Sequence, residues 1–181
     1  MLSVPALAAE SGTENLVRSK TYTGQFSDLP EDHTFYKNVA ALYEYGLSVG
    51  QADGTFGLTA PMTVGQTVIF AGRIRSLYRT GDPEAGPAAF AAAAVSQKDA
   101  RRVYAPYLWY LQSEGVLDKA LDDCLTQPAT RAQMAHVLAN LLPEEALPLI
   151  NDSLVTQGYA SRRRITDVTE YTPYYQDILK L

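Results

Sequence analysis

Pro128-Ala129-Thr130-Arg131-Ala132-Gln133-Met134-Ala135-His136-Val137-Leu138-Ala139-Asn140-Leu141-Leu142 is the stretch that decides the fold. Thr130, with Gln133 three residues on, has the form of a capping box. The hydroxyl accepts from an early backbone N–H, and the amide reaches back to the cap's own N–H. Met134, Val137, Leu138 and Leu141 recur at helical spacing and predict one buried stripe. Arg131 falls in the first turn, where the helix dipole disfavours a cation. His136 lies between stripe positions and is expected to be half-exposed.

An earlier segment repeats the pattern. In Pro61-Met62-Thr63-Val64-Gly65-Gln66-Thr67, proline, threonine and glutamine keep the same spacing. In this register Thr67, Phe70, Ala71 and Ile74 match Met134, Val137, Leu138 and Leu141. Val64 stands where Arg131 stands. Upstream of each capped helix, Val39 and Leu42 run into Gly46-Leu47, and Leu108 and Leu111 run into Gly115-Val116. Glycine followed by an apolar residue is a helix stop. Each unit therefore reads as helix, glycine stop, loop, capped helix. A third copy starts near the C-terminus. Phe26-Ser27-Asp28-Leu29 is echoed by Ile165-Thr166-Asp167-Val168, and Val39 and Leu42 by Ile178 and Leu181. Such periodic self-similarity takes precedence over other readings.

With these residues in place, the chain resembles the S-layer homology domain. The shared features are F-x-D-[LV], an amphipathic helix, G-[LV], the loop Gly50-Gln51-Ala52-Asp53-Gly54-Thr55-Phe56, and a T-R-A-E-like helix start at Thr130-Arg131-Ala132-Gln133. The resemblance covers Phe26 to about Tyr78, Tyr104 to about Leu142, and Ile165 to Leu181. The first unit lacks the arginine. The second lacks a clear F-x-D and the glycine-rich loop, and the third stops inside its first helix. The expected organisation is an export-signal remnant and lead-in at 1–25 and a first repeat at 26–80. A linker with an Ala-rich helix follows at 81–103, then a second repeat at 104–143, a linker at 144–164 and a truncated third repeat at 165–181.

The resemblance implies an all-α fold, a pseudo-threefold bundle of helix–loop–helix repeats. Helices near 35–46, 104–115 and 173–181 would meet at its centre, because one helix pair cannot bury its own stripe. It also implies a non-catalytic module that anchors an exported protein to anionic, often pyruvylated, secondary cell-wall polysaccharide of a bacterium. Arg131 is then the first choice for the acidic group, since a guanidinium pairs bidentately with a carboxylate. Gln133, Asp28, Asp167 and Trp109 follow as further saccharide-binding candidates. Asp28 and Asp167 also suit helix-entry capping, and Trp109 lies out of phase with the core positions Leu108 and Leu111. With Val64 in the first unit, at most one or two working sites are expected.

Composition sets bounds on these readings. The 181 residues are 46% hydrophobic and 19% charged, enough for a packed core. The net charge of −5 argues against nucleic-acid binding. Basic clusters stand out at Arg73, Arg75 and Arg79, at Arg101 and Arg102, and at Arg162 to Arg164. Cys124 is the single cysteine, so no internal disulfide forms. Ala6-Leu7-Ala8 fits a signal-peptidase site, and no apolar run is long enough to cross a membrane. The protein is expected to be secreted and held at the cell wall, with no membrane insertion. No cofactor or metal is expected, because Asp53-Gly54 lacks the oxygen ligands of a calcium loop. A hairpin is expected within 150–159. Two readings compete with anchoring. One is a degenerate module that binds protein or serves as a scaffold, including self-association through the incomplete third repeat. The other is a wall-glycan enzyme, which lacks H-E-x-x-H and G-x-S-x-G motifs.

Overall fold

The computed structural model describes residues 12–146 and 167–180. The signal-like stretch, the hairpin expected within 150–159, Arg162 to Arg164 and Leu181 lie outside the described residues. The described fold is all-α: α1 (Tyr36–Glu44), α2 (Val64–Thr80), α3 (Ala85–Ala94), α4 (Asp99–Ser113), α5 (Arg131–Ala139) and α6 (Tyr175–Lys180). Short 3-10 turns occupy Thr13–Asn15 and Glu144–Ala146.

Both capping boxes form. Thr63 Oγ1 accepts from the Gln66 N–H at 3.2 Å while Gln66 Oε1 accepts from the Thr63 N–H at 2.8 Å. Thr130 and Gln133 repeat this at 3.2 and 2.9 Å. The glycine stops form as well. Gly46 and Gly115 take φ of 71° and 70°, a conformation that costs a side chain dearly. The next N–H reaches back to the last turn in each case, Leu47 to Leu42 O and Val116 to Leu111 O, both at 2.9 Å.

The main core lies where α2, α4 and α5 meet, closed by the 116–125 segment. Val68, Leu111 and Val137 are each 0% exposed at its centre. Burying one such side chain is worth about 1.5–3 kcal/mol. The buried face of α2 is wider than the expected stripe. Thr67 and Ala71 are buried as expected and Phe70 and Ile74 partly so, while Val64 and Val68 are buried in addition. The cause is close approach of α4. A Cβ on Gly65 would lie 2.7 Å from the Tyr104 ring, and one on Gly72 would lie 3.0 Å from Tyr107. On α5, Val137 and Leu141 are buried as expected, Met134 and Leu138 are partly so, and Ala139 is buried too.

A second, aromatic core surrounds α1. Tyr22, Phe26, Leu29 and Val39 are buried there, with Tyr43 and Phe56 packed on them. Phe26 meets Tyr43 edge-on at 5.7 Å and Phe56 at 5.4 Å. The Ala-rich helix α3 packs against both α4 and α2. Among the described residues, no substantial helix–helix packing joins α1, α4 and α6 to one another. Instead α4 packs on α2 and α3, and α6 on α5. Leu42 belongs to neither core, whereas its counterpart Leu111 is fully buried. The interlock over the α2 glycines gives α4 its partners, so a central three-helix cluster does not form among these elements.

Candidate functional site

The two capped helices begin side by side. Thr63 and Pro128 form an antiparallel bridge, and the Ala129 N–H donates to Met62 O at 2.8 Å. The Val64 N–H donates to Gln127 O at 2.9 Å and the Gly65 N–H to Leu125 O at 2.7 Å. The start of α2 is therefore roofed by the chain leading into α5, and Val64 is 1% exposed. An arginine in that place would be a buried, unpaired charge. Arg131 is in the opposite situation: it is exposed and, among the described residues, forms no ion pair or hydrogen bond through its side chain. No backbone carbonyl among the described residues takes the first N–H groups of α5.

Gln133 is committed to the capping box, and its Nε2 lies 3.7 Å from Cys124 Sγ. Burial pushes the Cys124 thiol up, away from the reactive thiolate. Trp109 is half-buried and packed on the main core. Asp167 is exposed, ahead of α6.

Asp28 does not cap α1, whose N-cap residue, Phe35, makes no side-chain cap bond. Its carboxylate reaches across the first unit and accepts from the N–H groups of Phe56 at 2.7 Å, Gly57 at 2.9 Å and Leu58 at 3.2 Å. These bonds, the one from Phe56 foremost, hold its carboxyl below the usual range. Asp28 thus fastens the glycine-rich loop over the aromatic core. Asp53 accepts from the Thr55 N–H and hydroxyl, as a plain turn requires. Among the described residues, no hydrogen bond or ion pair joins Asp28 to Arg131.

The first arginine cluster serves the fold. Arg73 pairs with Glu84 at 2.7 Å and donates to Leu47 O, while Arg75 and Arg79 share Glu114 at 3.0 and 3.3 Å. Arg101 and Arg102 are exposed.

One polar cluster is absent from the sequence expectations. His136 Nδ1 lies 2.7 Å from Asp177 Oδ2, and the Asn140 amide donates to Asp177 Oδ1 at 3.0 Å. The Tyr174 ring stacks on the imidazole at 4.2 Å between centroids. His136 is 13% exposed at its side chain rather than half-exposed. Only the helical spacing of His136 and Asn140, one turn apart, was available to signal it. Among the described residues, no group of His, Cys, Asp and Glu is arranged to hold a metal ion, and no helix is long and apolar enough to cross a membrane.

Residues 25–63 match the family model of the S-layer homology domain. The match runs from just before Phe26 through α1, the Gly46 stop and the glycine-rich loop to the cap Thr63. As a family, this domain binds cell-wall polysaccharide and attaches proteins at the cell surface, and it is not catalytic. No curated protein and no solved structure gives a significant match to the chain.

Proposed function

Starting from the S-layer homology domain that the chain carries at residues 25–63, we propose that the segment is a non-catalytic anchor for an anionic, pyruvylated secondary cell-wall polysaccharide of a bacterium. Arg131 meets the acidic substituent. The observation that carries this reading is the contrast between the two helix starts. At α5 an exposed guanidinium that pairs with no acid among the described residues stands beside first-turn N–H groups that no described carbonyl takes. Such a helix start favours an anion twice over, by hydrogen bonding and by the dipole. At α2 the same N–H groups are spent on Gln127 and Leu125, so that position offers no anion site. Asp28 and Gln133 support the reading as organisers of loop and cap. Asp167 and Trp109 are secondary contacts. The protein carrying this segment is exported and held at the wall by it.

The experiment is a pull-down with purified wall polymer, with and without its acidic substituents. Arg131→Ala should lose most of the retention that depends on the acid groups. Arg131→Lys should recover only part, because an ammonium cannot pair bidentately. Retention by Arg131→Ala equal to the native chain would remove Arg131 from the site. A second reading, a scaffold that binds protein, is favoured by the closed start of α2 alone. Glycan-independent capture of a defined protein partner would select it.

A further inference from the structure

We infer that Asp177 is a positioning residue for the polymer site: it seats the 174–180 segment along α5 and so fixes the helix that presents Arg131. This rests on the anchoring reading above and adds a residue to it.

The inference comes from how α6 is held. It is six residues long and none of them is fully buried, with Tyr175, Ile178 and Leu179 half-buried, so apolar burial holds it only in part. Its polar contacts with α5 converge on one carboxylate. Asp177 takes His136 Nδ1 with one oxygen, at 2.7 Å, and Asn140 Nδ2 with the other, at 3.0 Å. His136 and Asn140 are one helical turn apart and share a face of α5, so a single side chain spans that turn. Asn140 is also the C-cap residue of α5, and its oxygen accepts from Lys180 Nζ at 3.3 Å. The carboxylate and its neighbours therefore grip the end of α5 remote from Arg131.

Tyr174 carries the contact toward the other end. Its ring lies nearly parallel to the imidazole, tilted by 18°. It is the one described non-glycine residue with positive φ, 61°, a backbone state that a tyrosine holds only when its surroundings impose it. Burial, with the nearby charges of Asp118, Cys124 and Asp177, favours its neutral phenol. Cys124 in turn touches Gln133, the third residue of α5. The 174–180 segment thus runs beside α5 from its C-cap residue, Asn140, back to His136. A nine-residue helix is marginal alone. Held along this half, it keeps Arg131 oriented before ligand arrives, which lowers the ordering cost of binding.

The test uses the full chain in two measurements. Amide hydrogen exchange, without polymer, reads the seat. Retention on purified wall polymer with its acidic substituents reads the site. Asp177→Ala should speed exchange across 174–180 and weaken retention by about fivefold, a usual size for a coupled residue outside the contact. Asp177→Asn can still accept from Asn140 while donating to His136, and should restore most of both. The double variant of His136→Ala with Asp177→Ala should be no worse than either alone, as for a directly coupled pair. Unchanged exchange in Asp177→Ala would overturn the seat. Faster exchange with undiminished retention would overturn its role in binding. No retention of the native chain would defeat the anchoring reading and the positioning role with it, a result separable from failure of the seat because exchange is measured without polymer.

Discussion

The same helix-on-helix junction occurs twice in this molecule and is held by opposite means. In the first, α4 crosses α2. In the second, α6 lies on α5. The repeat places Tyr104 and Tyr107 of the first junction at the positions of Tyr174 and Asp177 in the second, and Gly65 and Gly72 at those of Ala132 and Ala139. Glycines let two tyrosine rings press onto the α2 backbone, with 0%-exposed Leu111 beneath. The second junction has alanines at the matching positions, and a histidine–aspartate contact supplies its grip. The first junction is therefore a shape interlock, built by half-buried tyrosine rings over a buried core. The second is held in part by polar contacts, and α6 has no fully buried residue. Equal positions in a repeat need not carry equal energies, because the cost of a residue depends on what the neighbouring element leaves uncovered.

The largest difference should appear at the repeated leucine. Leu111→Ala, in the sealed core, should cost about 2–5 kcal/mol in urea unfolding. Leu42→Ala, at the matching place outside both cores, should cost about 1 kcal/mol or less. Equal losses would mean that α1 shares the buried centre after all.

A smaller effect separates the glycines from the alanines. Gly65→Ala gains about 1 kcal/mol of helix propensity, yet its methyl group must displace the Tyr104 ring, at about 1–3 kcal/mol for overpacking. Net destabilisation is expected in thermal melts. Ala132→Gly should lose about 1 kcal/mol, the propensity difference alone. A stabilised Gly65→Ala protein would show that the first junction is not closely fitted.

The smallest effect is a pH dependence at the first junction. Burial, and donation of the Tyr107 hydroxyl to Glu84 at 2.6 Å, push the Tyr107 phenol from 10.0 up to about 12. A raised folded value means that the neutral form is stabilised by folding. That contribution is complete below pH 10 and is lost as pH rises toward about 12. Tyr107→Phe should flatten this alkaline decline, followed by phenolate absorbance alongside thermal melts. An unaltered decline would assign it to other tyrosines.

Much of this was legible in the residues. The capping boxes and glycine stops are local: their donors and acceptors lie within a turn of one another, so spacing alone specifies them. The all-α class follows from the same signals, as does the likeness of residues 25–63 to the S-layer homology domain. The added burial of Val64 and Val68 on α2 was not legible, because it depends on which residues elsewhere in the chain cover that helix. Asp28 looked like a cap and proved to be a loop clamp, its partners Phe56, Gly57 and Leu58 lying almost thirty residues away. Val64 read only as a missing arginine, and the structure gives the reason, since the strand-like pairing of Thr63 with Pro128 buries it.

By itself, then, the sequence determined the all-α class, the two capped helix starts and the two glycine stops, since these depend on backbone propensity and on side chains a few residues apart. Tertiary structure alone decided which of the equivalent positions are sealed, which are open, and which meet a charge. His136 and Asp177, 41 residues apart, become partners only once α6 lies on α5. Arg131 stays exposed and, among the described residues, unpaired, while the pairing at Thr63 and Pro128 closes the start of α2. Burial and long-range pairing belong to the assembled chain, and no local pattern encodes them.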